Sequence, residues 1–254
     1  MATALVTGGS SGIGEAFARE LARRGHDLVL VARDRSRLER TAEELRRRAV
    51  QVEVMTADLA DRDDVRRVAE RLEDPARPVD LLVNNAGFGI HARLLDEDTS
   101  EHERALDVMC RTVLVLGGAA GRAMRARGHG GVLNVSSVAG YATMGGYSAV
   151  KSWVTTYTES LSNELRGSGV AVGAVCPGFV RTEFHERAGL RMSSMPDVGW
   201  LDAERVVVTA LDDLARGHVL SVPSRRYAVV TQLARHAPRS VVRWASRRLV
   251  SSRG

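Results

Sequence analysis

The chain predicts an α/β fold, a single domain on a doubly wound parallel sheet followed by a short C-terminal helical extension. Two observations carry that prediction. Short runs of valine, leucine and isoleucine alternate with longer stretches of helical pattern, and the first run feeds a glycine-rich turn that opens a helix. Alternation of this kind puts helices on both faces of a parallel sheet, because crossovers between parallel strands are right-handed. With 254 residues and 44% hydrophobic content, the chain is long enough to bury one such core.

Residues 4–7 are the first strand, and the helical pattern after the glycine turn covers 13–24. Residues 28–31 repeat the apolar run and lead into a helix over 36–48; residues 52–55 do the same before a helix over 61–72. A fourth strand at 81–83 precedes a long helix from about 101 to 127, and a fifth at 132–135 precedes a helix from about 146 to 166. The sixth strand is 170–175. The expected division is a nucleotide-binding domain over residues 1–222 and a basic amphipathic extension over 223–254. In sheets of this type ligands bind outside the carboxyl ends of the strands, so chemistry is sought in the loops that follow them.

The net charge of +5 is unevenly distributed. Up to Asp213, the last acidic residue, there are 27 basic and 31 acidic groups; residues 214–254 hold nine arginines and no acid. The positive charge belongs to a tail and not to the fold, which argues against nucleic acid as a partner of the whole protein. Cys110 and Cys176 are too few for a disulfide framework and lack metal-ligand spacing, so no metal and a reducing compartment are expected. The apolar strand pattern begins at Ala2 and no apolar run approaches the ~20 residues that span a bilayer, so the expectation is a soluble, cytoplasmic protein.

The turn after the first strand reads Gly8-Gly9-Ser10-Ser11-Gly12-Ile13-Gly14. Glycines let a pyrophosphate approach the backbone, and the following helix N-terminus offers free N–H groups and favourable partial charge. Gly8, Ser10, Ser11, Gly12, Ile13 and Gly14 are therefore candidate phosphate-binding residues. About twenty residues on, where an acid would hold the ribose of NAD, the second strand ends in Ala32 and Arg33. An arginine pairs bidentately with a 2′-phosphate, which favours NADP(H) over NAD(H).

Of the 36 basic residues only Lys151 is a lysine, and it stands four positions after Tyr147. On a helix the two share a face. A compact ammonium beside a phenol favours the phenolate and donates to ribose hydroxyls, which the broad guanidinium does less well. An unperturbed tyrosine titrates near ~10, so a catalytic one needs such a neighbour at neutral pH.

The glycine turn together with Tyr147 and Lys151 resembles the short-chain dehydrogenase/reductase family over roughly residues 2–222. The resemblance implies a Rossmann fold and assigns further residues. Asp58 and Leu59 match the pair that contacts the adenine ring, and Asn85, Ala86 and Gly87 match the element lying along the cofactor. Pro177, Gly178, Val180 and Thr182 match Pro-Gly-x-x-x-Thr, whose threonine meets the nicotinamide carboxamide. Ser137, the second serine after the fifth strand, would bind the substrate carbonyl, with Ser136 as the alternative. Tyr147 would deliver the proton, and Lys151 would hold the nicotinamide ribose and lower the tyrosine pKa. Met109 stands where the family usually has an asparagine that anchors a proton relay; a thioether cannot replace that amide.

After Thr182 come Phe184, His185, Leu190, Met192, Met195, Pro196 and Trp200, which the resemblance reads as a lid over a hydrophobic carbonyl or alcohol substrate. His185 and His91 are weaker candidates for substrate contact. The family pairs through the helices holding Met109 and Tyr147, implying a homodimer, with a tetramer as the alternative. In the tail, Arg235, Arg239, Arg243 and Arg247 recur every four residues, opposite Val241, Ala245 and Leu249, with Trp244 flanking. Such a helix either packs its apolar side on the domain or a second subunit, the favoured expectation, or rests on an anionic membrane. The main expectation is an NADP(H)-dependent reductase of apolar ketones; the alternative is a cofactor-binding protein with little catalysis, a sensor or scaffold.

Overall fold

The computed structural model describes residues 2–182 and 199–251, with side chains in the last helix described to residue 248. Strands β1 (Thr3–Thr7), β2 (Asp27–Ala32) and β3 (Val52–Thr56) alternate with α1 (Gly12–Arg23), α2 (Arg35–Arg46) and α3 (Arg62–Glu73). Then follow β4 (Leu81–Asn84), α4 (Ser100–Leu106), α5 (Thr112–Arg127), β5 (Gly130–Val135), α6 (Gly145–Glu164), β6 (Val170–Val175) and a short pair, β7 (Phe179–Val180) and β8 (Trp200–Leu201). α7 (Ala203–Ala215) leads to β9 (Leu220–Ser221), and the tail forms α8 (Arg225–His236) and α9 (Arg239–Ser251). Every element expected up to residue 175 is present to within two residues at each end.

The main sheet has seven strands in the order β3-β2-β1-β4-β5-β6-β9, all parallel. Along β1 and β2 successive residues alternate between its two faces. Ala4, Val6, Leu28 and Leu30 join Phe17, Leu38 and Leu211 on one side; Leu5, Val29 and Val31 join Val68, Leu72 and Leu116 on the other. A sheet covered on both faces needs near-continuous apolar strands, which is why these runs show no polar alternation. The switch in strand order falls between β1 and β4, so the loops leaving their carboxyl ends open a cleft there.

Two departures matter. The long helix expected over 101–127 is broken by a π-helical segment, Asp107–Arg111, with Met109 at its centre. Such segments insert an extra residue into a turn and recur at functional sites. Beyond β6 the chain also adds α7 and β9, and the tail forms two helices separated at Pro238, whose ring cannot continue α8. Among the described residues no helix is long and apolar enough to cross a membrane.

Candidate active site

At the end of β1 the backbone turns through left-handed glycines, Gly8 at φ +68° and Gly12 at φ +57°. A methyl group at Gly14 would sit 2.2 Å from the Gly8 carbonyl oxygen, so only glycine lets the loop close onto α1. α1 starts at Ser11 without a side-chain cap from it, as a helix N-terminus that opens at the glycine turn. Asn85, after β4, pins this loop: its Nδ2 donates to the Thr7 carbonyl at 2.9 Å, while the Asn85 and Ala86 N–H groups donate to Thr7 Oγ1 at 2.9 and 3.1 Å. The Gly12 Cα faces Thr182, whose Cβ is 3.4 Å from where a methyl would project. The loops after β1, β4 and β6 thus surround one cleft, and its donors and bare backbone fit a dinucleotide pyrophosphate.

Arg33 emerges exposed just beyond β2, where Asp34 caps α2 by accepting from the Arg37 N–H at 3.0 Å. Asp58, after β3, accepts from Arg104 at 2.9 Å on both oxygens and from the Ala60 N–H at 3.0 Å. Burial pushes that carboxyl upward, but Arg104, the Ala60 N–H and the field of Arg33 outweigh it and hold it below the ordinary range. Leu59 is buried beneath it. Arg104, from α4, was not legible as part of this corner, because its only signal is a contact across 46 residues.

The strand β5 delivers two serines to different places. Ser136 is buried and bonded to the Lys151 carbonyl and to Thr155, each at 2.8 Å; Ser137 reaches the cleft and hydrogen-bonds Tyr147. Ser137 also starts a 3₁₀ turn, Val138–Tyr141, by accepting from the Ala139 N–H at 3.1 Å. Within that turn Gly140 packs so close to α6 that a methyl there would lie 2.9 Å from the Lys151 backbone.

Burial pushes the Tyr147 phenol up from its ordinary value, with the Ser137 hydroxyl pulling the other way. Burial lowers Lys151 to about 8, opposed by Cys110 and Cys176 nearby. The lysine Nζ donates to the Val135 carbonyl at 2.8 Å and lies 5.7 Å from the Tyr147 ring centroid. At Tyr147 burial is thus the larger influence and the Ser137 hydroxyl the smaller. Met109 is fully buried; its Sδ and the Lys151 Nζ both converge on Gly87, 3.0 and 3.7 Å from where a β-carbon there would stand.

The far wall comes from the tail. The Tyr227 ring packs flat on Gly178, leaving no room for a methyl, and its hydroxyl donates to the Gly199 carbonyl at 2.8 Å while accepting from the Phe179 N–H at 3.5 Å. Ser246 accepts from the Thr143 N–H at 3.1 Å, in the loop between Ser137 and Tyr147. Neither residue was singled out from sequence, since no spacing ties it to the loops it touches. Pro177 accepts from the Val138 N–H at 3.1 Å and Val180 is buried against β8. Trp200 stacks edge-on to Phe179, their centroids 6.2 Å apart. The remaining lid positions, Phe184, His185, Leu190, Met192, Met195 and Pro196, lie outside the described residues. His91 is exposed, with its backbone N–H held by Glu101.

Residues 2–192 match the family model described as short chain dehydrogenase. Among relatives, a ketoacyl reductase assigned to the monensin polyketide synthase of Streptomyces virginiae is 40% identical over 196 residues, 72% of each chain. The fold superposes on a short-chain dehydrogenase from Sphingobium yanoikuyae in complex with NADPH, with TM-score 0.84, 34% identity and 92% and 94% of the two chains covered. It also superposes on a bulky-bulky ketone specific alcohol dehydrogenase from Comamonas testosteroni, with TM-score 0.80, 30% identity and 92% of each chain covered. A glycine loop leading into α1, a serine and tyrosine in contact beside a buried lysine, and these matches together make the chain a member of the short-chain dehydrogenase/reductase family of oxidoreductases.

Proposed function

We propose that the protein is an NADP(H)-dependent reductase that converts an apolar ketone to a secondary alcohol, with Ser137, Tyr147 and Lys151 as its catalytic residues. The observation that carries this is the Ser137–Tyr147 contact at the mouth of the cleft beside the buried Lys151. When bound, the reduced nicotinamide supplies the two-electron equivalent for the carbonyl carbon. Ser137 and the Tyr147 hydroxyl grip the carbonyl oxygen. A phenol titrating at or above its ordinary ~10 is protonated at neutral pH, so Tyr147 donates its proton as negative charge develops there. Lys151, charged below about pH 8, holds the nicotinamide ribose and stabilises the phenolate left behind.

The preference for NADP(H) rests on Arg33, exposed at the β2 end where Ala32 and not an acid closes the strand, with Asp34 engaged in capping α2. Gly8, Ser10, Ser11, Gly12, Ile13 and Gly14 would cradle the pyrophosphate, Asp58 and Leu59 the adenine. Asn85, Ala86 and Gly87 would line the middle of the cofactor, and Pro177, Gly178, Val180 and Thr182 its nicotinamide end. Apolar Phe179 and Trp200 at the cleft rim suit a hydrophobic substrate, as does the ketone preference named for the Comamonas relative. Leu106, Leu114, Val115 and Trp153 stay exposed on α4, α5 and α6, and Trp153 stacks on Tyr157 at 5.1 Å. We assign that face to a homodimer contact, since a patch of this kind needs covering.

Turnover of NADPH and NADH should be measured with a panel of hydrophobic ketones. Faster oxidation of NADPH is expected; equal use of both cofactors would sink the Arg33 assignment, and no turnover at all would sink the reductase. The second reading, a cofactor-binding protein with little catalysis, is favoured only by Met109. It predicts a large rate increase in Met109→Asn, whereas a working relay through backbone-held water predicts a change within severalfold.

A further inference from the structure

The domain uses only one face of each tail helix. Tyr227 and the buried Thr231 turn inward from α8, and the buried Val242 and Ser246 turn inward from α9. On the other side of α8, Val229, Val230 and Leu233 are 60%, 59% and 66% exposed. On α9, Val241 and Trp244 are 49% and 56% exposed. Spacings of three and four residues put each set on one stripe of its helix. Arg225, Arg239, Arg243 and Arg247 are exposed on the same two helices, and the Arg248 guanidinium lies 4.5 Å above the Trp244 ring. No acid follows Asp213 in the sequence, and from the domain Glu159 on α6 comes within 3.8 Å of Arg235.

We infer that this apolar side docks on an anionic lipid surface, with Leu233 and Trp244 entering the headgroup boundary, Arg248 beside Trp244 meeting phosphates, and the arginines of the polar side adding longer-range attraction. The charge pattern selects the occupant. A second copy of the chain would bring one arginine field against another, a repulsive contact. An anionic bilayer complements the arginines and accepts valine, leucine and tryptophan side chains at a depth that suits an amphipathic helix lying flat. Tyr227 and Ser246 already fasten both helices to the domain, so docking orders no new segment and loses little conformational entropy. The inference is independent of the reductase assignment, and its test reads binding and not turnover.

Full-length protein should be floated with vesicles of phosphatidylcholine alone and of phosphatidylcholine with phosphatidylglycerol. Flotation is expected only with the anionic lipid and should fade as salt screens the arginines. The pair Arg243→Glu with Arg247→Glu should weaken partitioning at least about tenfold, since each reversal removes one attraction and adds one repulsion. The pair Leu233→Ser with Trp244→Ser should also lose about tenfold at fixed salt. Circular dichroism and NADPH titration identify any variant that fails to fold; for such a pair, Leu233→Ser alone takes its place. If the native chain stays with the phosphatidylglycerol-free fraction throughout, the face belongs to an acidic protein or to no partner, and the proposal falls. It falls equally if the apolar variant floats like the native chain, for then the arginines bind any polyanion and no side chain enters the lipid.

Discussion

Along the side of the cleft proposed to hold the cofactor, each residue stands close to the end of the strand that places it: Gly8 after β1, Arg33 after β2, Asp58 after β3, Asn85 after β4. On the opposite side the wall arrives from far along the chain. Tyr227 braces Phe179 across 48 residues, and Ser246 holds Thr143 across 103. A parallel sheet explains the first arrangement, because it presents successive strand ends to one cleft whatever the helices between them contain. The second depends on two helices folding back, and their only sequence signature is an amphipathic pattern that would serve equally for packing or for lipid. The first side therefore follows from the architecture itself, and the tail side from long-range contacts made only when the two helices fold back.

The largest effects are expected where the two sides meet, at Tyr147 and Lys151. Tyr147→Phe should cut turnover by ~10²–10⁴-fold, the usual contribution of a positioned proton donor, while leaving NADPH affinity intact. A variant that kept most of its rate would mean another group protonates the alkoxide. Lys151→Met should also abolish turnover but stabilise the cofactor-free protein. The folded-state lysine titrates at about 8 against an ordinary 10.5, so the cost of burying its charge is fully present below pH 8 and is relieved between 8 and 10.5. The melting temperature of the variant should exceed that of the native chain at pH 7, and the gap should close as pH rises through that window. Calorimetry across pH reads this directly; a variant less stable at pH 7 would show that the lost bond to the Val135 carbonyl outweighs the relieved charge.

The next effect tests the cofactor side by itself. Arg33→Asp should reverse the cofactor preference by about ten- to a hundredfold in kcat/KM, the range for one charge-assisted bond replaced by a repulsion. An unchanged ratio would transfer 2′-phosphate recognition to a neighbour such as Arg37.

What was legible in the sequence follows the same division. The strand-helix alternation, the glycine turn and the tyrosine-lysine pair were readable because each is a short-range pattern with one physical cause. The assignment of Ser137 over Ser136 came from the resemblance and not from such a pattern: both follow β5, and the turn of the backbone sends Ser136 inward to Thr155 and Ser137 toward Tyr147. Met109 was readable as a misplaced residue, yet not the π-helical segment around it, because an extra residue in one turn leaves the apolar pattern on both flanks intact. Arg104 escaped for a different reason: 36 basic residues, nearly all arginine, give no local mark to the one that grips Asp58.

The smallest effect is the one that bears most on the tail side. Tyr227→Phe keeps the ring against Gly178 and removes only the hydroxyl that joins Phe179 to Gly199. A neutral hydrogen bond contributes about 1 kcal/mol, so the cost should be modest. Its location decides how that cost appears. If the tail shapes the substrate wall, KM for the ketone should rise severalfold while NADPH affinity and kcat hold, since the hydroxyl touches neither the glycine turn nor Tyr147. If the tail merely steadies the fold, the melting temperature should drop by a few degrees with KM unmoved, and the two sides of the cleft would then differ in construction without differing in function.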